Sequence, residues 1–243
     1  MSAAEFSDSE EAKRAIVEVG KRMYHQGYVV TNDGNVSVRM SDGSIIVTPT
    51  GVCKGYMSTD MMVRIDPSGK VLEEGTRRPS SETKMHLRVF KENPDVYAVV
   101  HAHPIYATTF AVAGIPLDEP LMTEATMQLG TVPLAHYAEP GTTDVPDSVA
   151  PYCRDHTALL LSNHGALTWG STLEQAFSLM EVVENYAKVS FNIRLLGVSR
   201  PLSQLQIDGI DAIRDRMGLP KVVMPCGAAV ATNMTDVTGD PTR

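Results

Sequence analysis

The sequence predicts an α/β fold in which a mixed or antiparallel sheet is layered between helices. Short apolar strands at 36–40, 44–48, 61–65, 96–103 and 158–161 are interspersed with helical stretches. Several strands are joined by tight turns too short for the crossover that parallel neighbours need. Helices set among such strands must cover the faces of the sheet.

The first helix spans 7–26. Ser7-Asp8-Ser9-Glu10 has the form of a capping box with Ser7 as N-cap, Ala12, Ile16, Val19 and Met23 recur at helical spacing, and Gly27 suits a left-handed stop. Asn32-Asp33-Gly34-Asn35 breaks regularity. A hairpin turns about Ser41-Asp42-Gly43, and Thr48-Pro49-Thr50-Gly51 is a second tight turn. Met61–Ile65 is a third strand, and Val71 and Leu72 add a short fourth. After Arg77-Arg78-Pro79, Ser80 or Ser81 caps a helix running to about Lys91, with Met85, Val89 and Leu87 as its inner face. Residues 105–113 form a short helix ended by Gly114. Pro and Gly interrupt 116–143, and 145–154 is helical. A turn at Ser162–Ala166 follows the strand at 158–161. Residues 172–197 form the longest helix, with Leu173, Ala176, Phe177, Met180, Val183, Ala187 and Ser190 on one stripe.

The 243 residues show no linker or composition shift, so residues 1–220 read as one domain and 221–243 as a tail, disordered or docked on a neighbour. The chain is 43% hydrophobic and 21% charged, ordinary for a soluble globular protein. A formal net charge of -8 without a Lys/Arg run argues against nucleic acid and against an anionic membrane surface as partners. It leaves room for a small anion held by backbone and hydroxyl donors. Cys53, Cys153 and Cys226 are far apart and form neither a metal motif nor a disulfide framework, which suits a reducing cytoplasm. The polar, acidic N-terminus is unlike a signal peptide, and no apolar run is long enough to span a bilayer.

The chemistry centres on Val-Val-His-Ala-His-Pro at 99–104. Side chains alternate along a strand, so His101 and His103 share one face. Two imidazoles there suit a transition metal, or are two polar residues at a strand end. His164, in an Asn-His-Gly turn after a strand, is the third candidate ligand among seven histidines. Glu82 is the candidate carboxylate, for charge balance and proton transfer, or a favourable charge at a helix start. His86, one turn further, is a rival ligand or, as preferred here, a packed neighbour of the site. Three uncharged, donor-rich turns (Gly34-Asn35, Thr50-Gly51 and Ser80-Ser81) could converge on one phosphate, or are ordinary turns and a cap.

Gly34-Asn35-Val36-Ser37-Val38-Arg39, Thr48-Pro49-Thr50-Gly51, Pro79-Ser80-Ser81-Glu82, His101-Ala102-His103 and Asn163-His164-Gly165 occur in this order. Over about residues 10–200 the chain thereby resembles the class II aldolase/adducin family, most closely its fuculose-1-phosphate aldolase branch. The resemblance implies a three-layer α/β/α fold with a mixed, largely antiparallel sheet. It implies Zn2+, with Mn2+ or Co2+ as alternatives, held by His101, His103 and His164, with Glu82 as fourth ligand at rest and as the proton-transfer group. It implies that Asn35, Thr50, Gly51, Ser80 and Ser81 bind a substrate phosphate, with Gly34 shaping the loop, and a homotetramer with active sites at subunit interfaces. The implied reaction is reversible cleavage of a ketose 1-phosphate to dihydroxyacetone phosphate and an aldehyde through a zinc-stabilised enediolate. Within the family, 4-epimerases and 3-oxo sugar-acid phosphate decarboxylases are the alternatives, and a non-catalytic adducin-like interaction module is a further one.

The chain departs from the resemblance in two places. The epimerases have Asp where Glu82 stands, and their further catalytic Asp falls near Thr126. The two tyrosines that serve the aldehyde half in fuculose-1-phosphate aldolases fall near Met122 or Thr123 and near Met217, with Glu124 or Tyr137 as conceivable substitutes. Asn32 takes the place of a phosphate-loop Thr. The expected aldehyde is therefore a different one, small and less hydroxylated, as from a 5-deoxypentulose 1-phosphate.

Overall fold

The computed structural model describes residues 4–139 and 141–227. Its strands are β1 (Asn35–Arg39), β2 (Ile45–Val47), β3 (Val63–Ile65), β4 (Val71–Glu73), β5 (Ala98–Ala102), β6 (Leu134–Ala135), β7 (Ala158–Leu161) and β8 (Gly165–Gly170). Its helices are α1 (Ser9–His25), α2 (Thr83–Glu92), α3 (Ile105–Ala113), α4 (Thr123–Leu129), α5 (Asp144–Val149), α6 (Leu173–Leu196) and α7 (Gln204–Met217). The eight strands form one sheet in the order β4-β3-β2-β1-β5-β8-β7-β6. Every neighbouring pair is antiparallel except β6 with β7, and tight turns join β1 to β2, β3 to β4 and β7 to β8.

Strand alternation sorts the core into two layers. Val36, Val38, Ala98, Val100, Ala102 and Leu160 pack with Ile16 of α1, Phe110 of α3, Leu129 of α4 and Phe177 of α6. Ile45, Val47, Val99, Leu159, Leu167 and Trp169 pack on the other side with Met85, Val89 and Phe90 of α2 and Val149 of α5. Helices thus cover both faces of a mixed, largely antiparallel sheet, the expected three layers.

The β1–α2 contact sets the position of the site. On the α2 side, β1 presents Asn35, Ser37 and Arg39, every second residue. These meet Glu82, His86 and Phe90, every fourth residue along α2 and its entry. Asn35 Nδ2 donates to Glu82 at 2.6 Å, Ser37 Oγ lies 2.6 Å from His86 Nδ1, and Arg39 donates to the Phe90 carbonyl at 2.5 Å. Two strand residues advance about 6.6 Å and four helical residues about 6 Å, so the rungs stay in step.

Some expectations are corrected. The N-cap of α1 is Asp8, not Ser7: its side chain accepts from the Glu10 amide at 2.8 Å, and helix begins at Ser9. Neither Ser80 nor Ser81 caps α2. Glu82 occupies the boundary without a side-chain cap bond, its carboxylate being drawn to Asn35 and the histidines, and Ser80 Oγ accepts from the Glu82 amide at 3.3 Å. The third strand starts at Val63, after a 3-10 turn over Thr59–Met61. β8 and α7 are not anticipated, because glycines bound β8 and α7 has only a weak apolar stripe. In the tail, Val223 pairs with its own chain through Asp155 O and the Thr131 amide, at 3.0 and 2.9 Å, and 228–243 lie outside the described residues.

The start of α3, directly after His103-Pro104, is tied to α6. Glu184 accepts from the Tyr106 and Ala107 amides at 3.0 and 2.8 Å, satisfying two open N–H groups at the positive end of the helix. Glu184→Ala is expected to cost about 2 kcal/mol in urea denaturation, and Glu184→Gln about half of that. Wild-type stability in both would remove this tie from the energetics of the fold.

Candidate metal centre

His101 lies on the central strand β5, opposite Asn35 of β1 on one side and Leu167 of β8 on the other. It is completely buried. Its Nδ1 is 2.9 Å from the Ala166 carbonyl oxygen, which can only accept. Nδ1 therefore carries the proton, and the Nε2 lone pair faces the site. His103 Nδ1 lies 3.1 Å from Asp33 Oδ2, which orients this ring in the same sense. The two Nε2 atoms are 3.0 Å apart. Lone pairs so placed repel each other unless a positive centre lies against both.

His164 completes the group from the β7–β8 turn. The turn needs two special residues. Asn163 takes a φ of 57°, which Asn tolerates better than most residues. A Cβ on Gly165 would lie 2.5 Å from both the Ala102 carbonyl oxygen and the His103 ring. With Gly there, the His164 ring centroid comes within 4.7 Å of His101 and 4.9 Å of His103. One ligand atom from each histidine lies within 4.8 Å of the others, so the triad could hold a metal ion.

Glu82 closes the cluster. Its Oε1 is 3.1 Å from His164 Nε2 and its Oε2 is 3.5 Å from His101 Nε2. Burial would raise its pKa, but the neighbouring His101 and His164 and the Asn35 amide outweigh that and hold it well below the usual carboxylate range. Burial, joined by the crowding of imidazoles, holds His101 far below the usual histidine range and lowers His103 as well. Neutral imidazoles beside an ionised carboxylate are what metal ligation requires. Two ligands on one tetrahedral zinc-sized ion lie roughly 3.4 Å apart. The contacts of 3.0, 3.1 and 3.5 Å bracket that distance, and three nitrogens with one oxygen suit a divalent transition metal.

The expected phosphate residues divide into two groups. Thr50, Gly51, Ser80 and Ser81 lie on segments held together by the Thr50 amide to Arg78 O (2.9 Å), the Ser80 amide to Thr48 O (3.1 Å) and a bridge between Pro49 and Pro79. Thr50 and Gly51 line a cavity of about 610 Å³ with Arg77 and Arg78. Asn35 and Gly34 lie on the histidine side. The Asn35 amide nitrogen is committed to Glu82, while its buried Oδ1 has no hydrogen-bond partner. A Cβ on Gly34 would lie 2.9 Å from the His101 carbonyl oxygen, and its φ is 69°. A cavity of about 640 Å³ beside α2, lined by Arg39, Leu87 and Phe90 among others, contains none of the expected residues.

No local pattern marks the roles of Asp33 and Ser37: Asp33 sits in a stretch that reads as a break, and Ser37 is one polar residue of the Gly34–Arg39 motif. Of the conceivable aldehyde-half substitutes, Glu124 is on α4, which packs on the sheet face away from α2. Tyr137 follows β6, past the sheet end that carries His164.

His86 is the packed neighbour that the sequence favoured. It is buried against Ser37, its Nε2 has no partner, and burial lowers its pKa from 6.5 to about 4. The unfolded chain therefore takes up a proton here at higher pH than the folded one does. The contribution is fully present above pH 6.5 and is lost as pH falls towards 4. At about 1.4 kcal/mol per pH unit this amounts to about 3 kcal/mol. Urea denaturation across that range should show a loss about 3 kcal/mol larger in the wild type than in His86→Gln. Parallel pH profiles would refute the assignment.

Residues 14–191 match the family model described as class II aldolase and adducin N-terminal domain. A 3-oxo-tetronate 4-phosphate decarboxylase of Pectobacterium atrosepticum is 30% identical over 211 residues, 85% of this chain and 94% of that protein. An L-fuculose phosphate aldolase of Methanococcus vannielii is 34% identical over 178 residues, 73% of this chain and 94% of that protein. Among solved structures, an L-fuculose 1-phosphate aldolase superposes with a TM-score of 0.77 at 28% identity, covering 86% of this chain and 97% of that one. On the match to its family model and on these relatives, this chain belongs to the class II aldolase and adducin family.

Proposed function

We propose that this chain is a zinc-dependent lyase acting on a small phosphorylated sugar, an aldolase that reversibly cleaves a ketose 1-phosphate to dihydroxyacetone phosphate and an aldehyde. The observation that carries this reading is the convergence of three imidazoles and an ionised carboxylate at one end of the sheet, beside a stitched pair of uncharged donor turns. His101, His103 and His164 would hold the ion, with Glu82 beside them. Bound there, zinc supplies a Lewis acid for the negative charge that builds on the substrate oxygens when the carbon–carbon bond breaks.

The remaining steps belong to the protein. Thr50, Gly51, Ser80 and Ser81 offer backbone and hydroxyl donors to the phosphate, which anchors the reacting carbons. Glu82 handles the proton. In bond formation it removes one from the carbon next to the carbonyl of dihydroxyacetone phosphate while the aldehyde oxygen takes one from solvent, and in cleavage it returns one to that carbon while the hydroxyl that becomes the aldehyde gives its proton to solvent. Asn35 holds the carboxylate where that transfer occurs. Asp33 and the Ala166 carbonyl keep the His103 and His101 rings turned to the site.

Decarboxylation is a second reading with a specific observation behind it. The resemblance places two aldehyde-handling tyrosines, one near Met122 or Thr123 and one near Met217, and none of these residues is Tyr. Carbon dioxide leaves without needing a proton. A 3-oxo-tetronate 4-phosphate that loses its carboxyl carbon is also left as dihydroxyacetone phosphate, after the same proton return by Glu82. The second product therefore decides between the readings. The aldolase reading expects dihydroxyacetone phosphate and an aldehyde from ketose 1-phosphates, whereas carbon dioxide from the keto acid alone would transfer the assignment.

Elemental analysis should find about one zinc per chain in the wild type and none in His101→Ala, whose turnover should fall by about a thousandfold or more. A folded, metal-free His101→Ala with full activity would end the metal reading. Asp33→Ala should retain the fold and bind zinc about 10–100-fold more weakly in a chelator competition. Unchanged zinc affinity would remove Asp33 from the support of His103.

A further inference from the structure

Lys54 stands out because it is a fully buried cation that the proposed chemistry does not use. It opens a 3-10 turn over Lys54–Tyr56 and is 1% exposed. The turn is pressed against α1 so closely that a Cβ on Gly20 would lie 2.6 Å from the Lys54 carbonyl oxygen. Its Nζ donates to two backbone carbonyls, Val52 at 2.7 Å and Asn32 at 3.2 Å. Among the described residues, no carboxylate forms an ion pair with it.

The two carbonyls belong to the two loops of interest. Asn32 is two residues before Gly34-Asn35, and Val52 directly follows Thr50-Gly51. One ammonium group therefore clasps both loops from beneath. In a trans peptide the C=O and the next N–H point in opposite directions. Drawing the Asn32 and Val52 carbonyls to Lys54 thus turns the Asp33 and Cys53 amides away from it. A buried ammonium that has only carbonyl partners also gains from any anion that settles nearby. Desolvation lowers its pKa, opposed by the more distant Asp33, Cys53 and Glu82. None of the six residues expected to serve the phosphate is charged, and Arg77 and Arg78, which share the cavity of Thr50 and Gly51, are exposed where Lys54 is buried.

We infer that Lys54 is a positioning residue for the phosphate group of the substrate, clasping the 32–35 and 50–52 loops and supplying a buried positive charge beneath them without touching the ligand. The inference rests on the sugar-phosphate reading above and adds a buried charge to its neutral phosphate donors.

The test uses the full-length, zinc-loaded protein with inorganic phosphate as the probe. In Lys54→Met, the inhibition constant of phosphate and the KM of the sugar phosphate should both rise about tenfold, with kcat within twofold and zinc content unchanged. Lys54→Arg should recover most of the phosphate affinity. A merely structural role would instead lower kcat, zinc content and melting temperature together. Unchanged phosphate inhibition in a folded Lys54→Met would overturn the inference. Should that variant not fold, NMR of wild-type protein carrying 15Nζ-lysine decides. The slowly exchanging buried ammonium signal should shift on addition of phosphate, and an unmoved signal would overturn the inference equally. Lys54-dependent phosphate binding in a protein that turns over no sugar phosphate would leave this inference standing while the proposed reaction falls. Turnover with Lys54-independent phosphate binding would do the reverse.

Discussion

The hydrogen bond from His101 Nδ1 to the Ala166 carbonyl is the interaction on which the site depends. A buried imidazole has two nitrogens to satisfy, and the central position of β5 leaves few partners. Its backbone groups are engaged on both edges by β1 and β8. The Ala166 carbonyl settles one ring nitrogen and so commits the other, bare, to the cluster. That carbonyl is available because β8 returns antiparallel after a tight turn. The same turn carries His164, so one connection supplies both the orientation of one candidate ligand and the identity of another.

The second constraint is the match between β1 and α2. A strand of period two and a helix sampled every four residues advance at nearly the same rate, so polar rungs can run along an otherwise apolar interface. Each rung has its own character. Arg39 over the Phe90 ring is mainly packing, with the cation 4.8 Å from the ring centroid. Ser37 with His86 is a buried neutral pair. Asn35 with Glu82 holds an ionised carboxylate. The rungs become more polar towards the end of the sheet where the histidines lie. This arrangement lets a largely buried carboxylate sit there without disrupting the layer that Met85 and Val89 build.

Charge is distributed with the same economy. Burial favours the neutral form of His101 and His103, and the Asn35 amide, which donates to Glu82, favours the ionised form of that carboxylate. Bare ring nitrogens beside a carboxylate suit a cation. The neighbouring donor turns are neutral, with Lys54 beneath two of them. On the proposed reading, such a site separates attraction for a metal from attraction for a phosphate, although Glu82 directly follows Ser80-Ser81 in the chain.

Much of this was legible in the sequence, because local chemistry specified it. Periodicity and turn residues located the hairpin, α1, α3, α6 and β7, and Gly27, Gly114 and Gly197 all end helices in the left-handed region. Strand alternation already placed His101 and His103 on one face. β8 was hidden by the glycines at its ends, and α7 by its mostly exposed surface. The first helix is capped one residue beyond Ser7 because the Asp8 carboxylate takes the boundary, and α2 starts beyond Ser80 and Ser81, at Glu82, whose carboxylate turns to Asn35 and the histidines instead of capping. By itself, then, the sequence determined which residue types could serve the site, since ligand chemistry resides in side chains. Only the tertiary structure decided which of them meet. Asp33 on His103, Asn35 on Glu82, the fixed tautomer of His101 and the clasp at Lys54 are long-range pairings set by sheet register and by the packing of α1 and α2, and no local pattern encodes them.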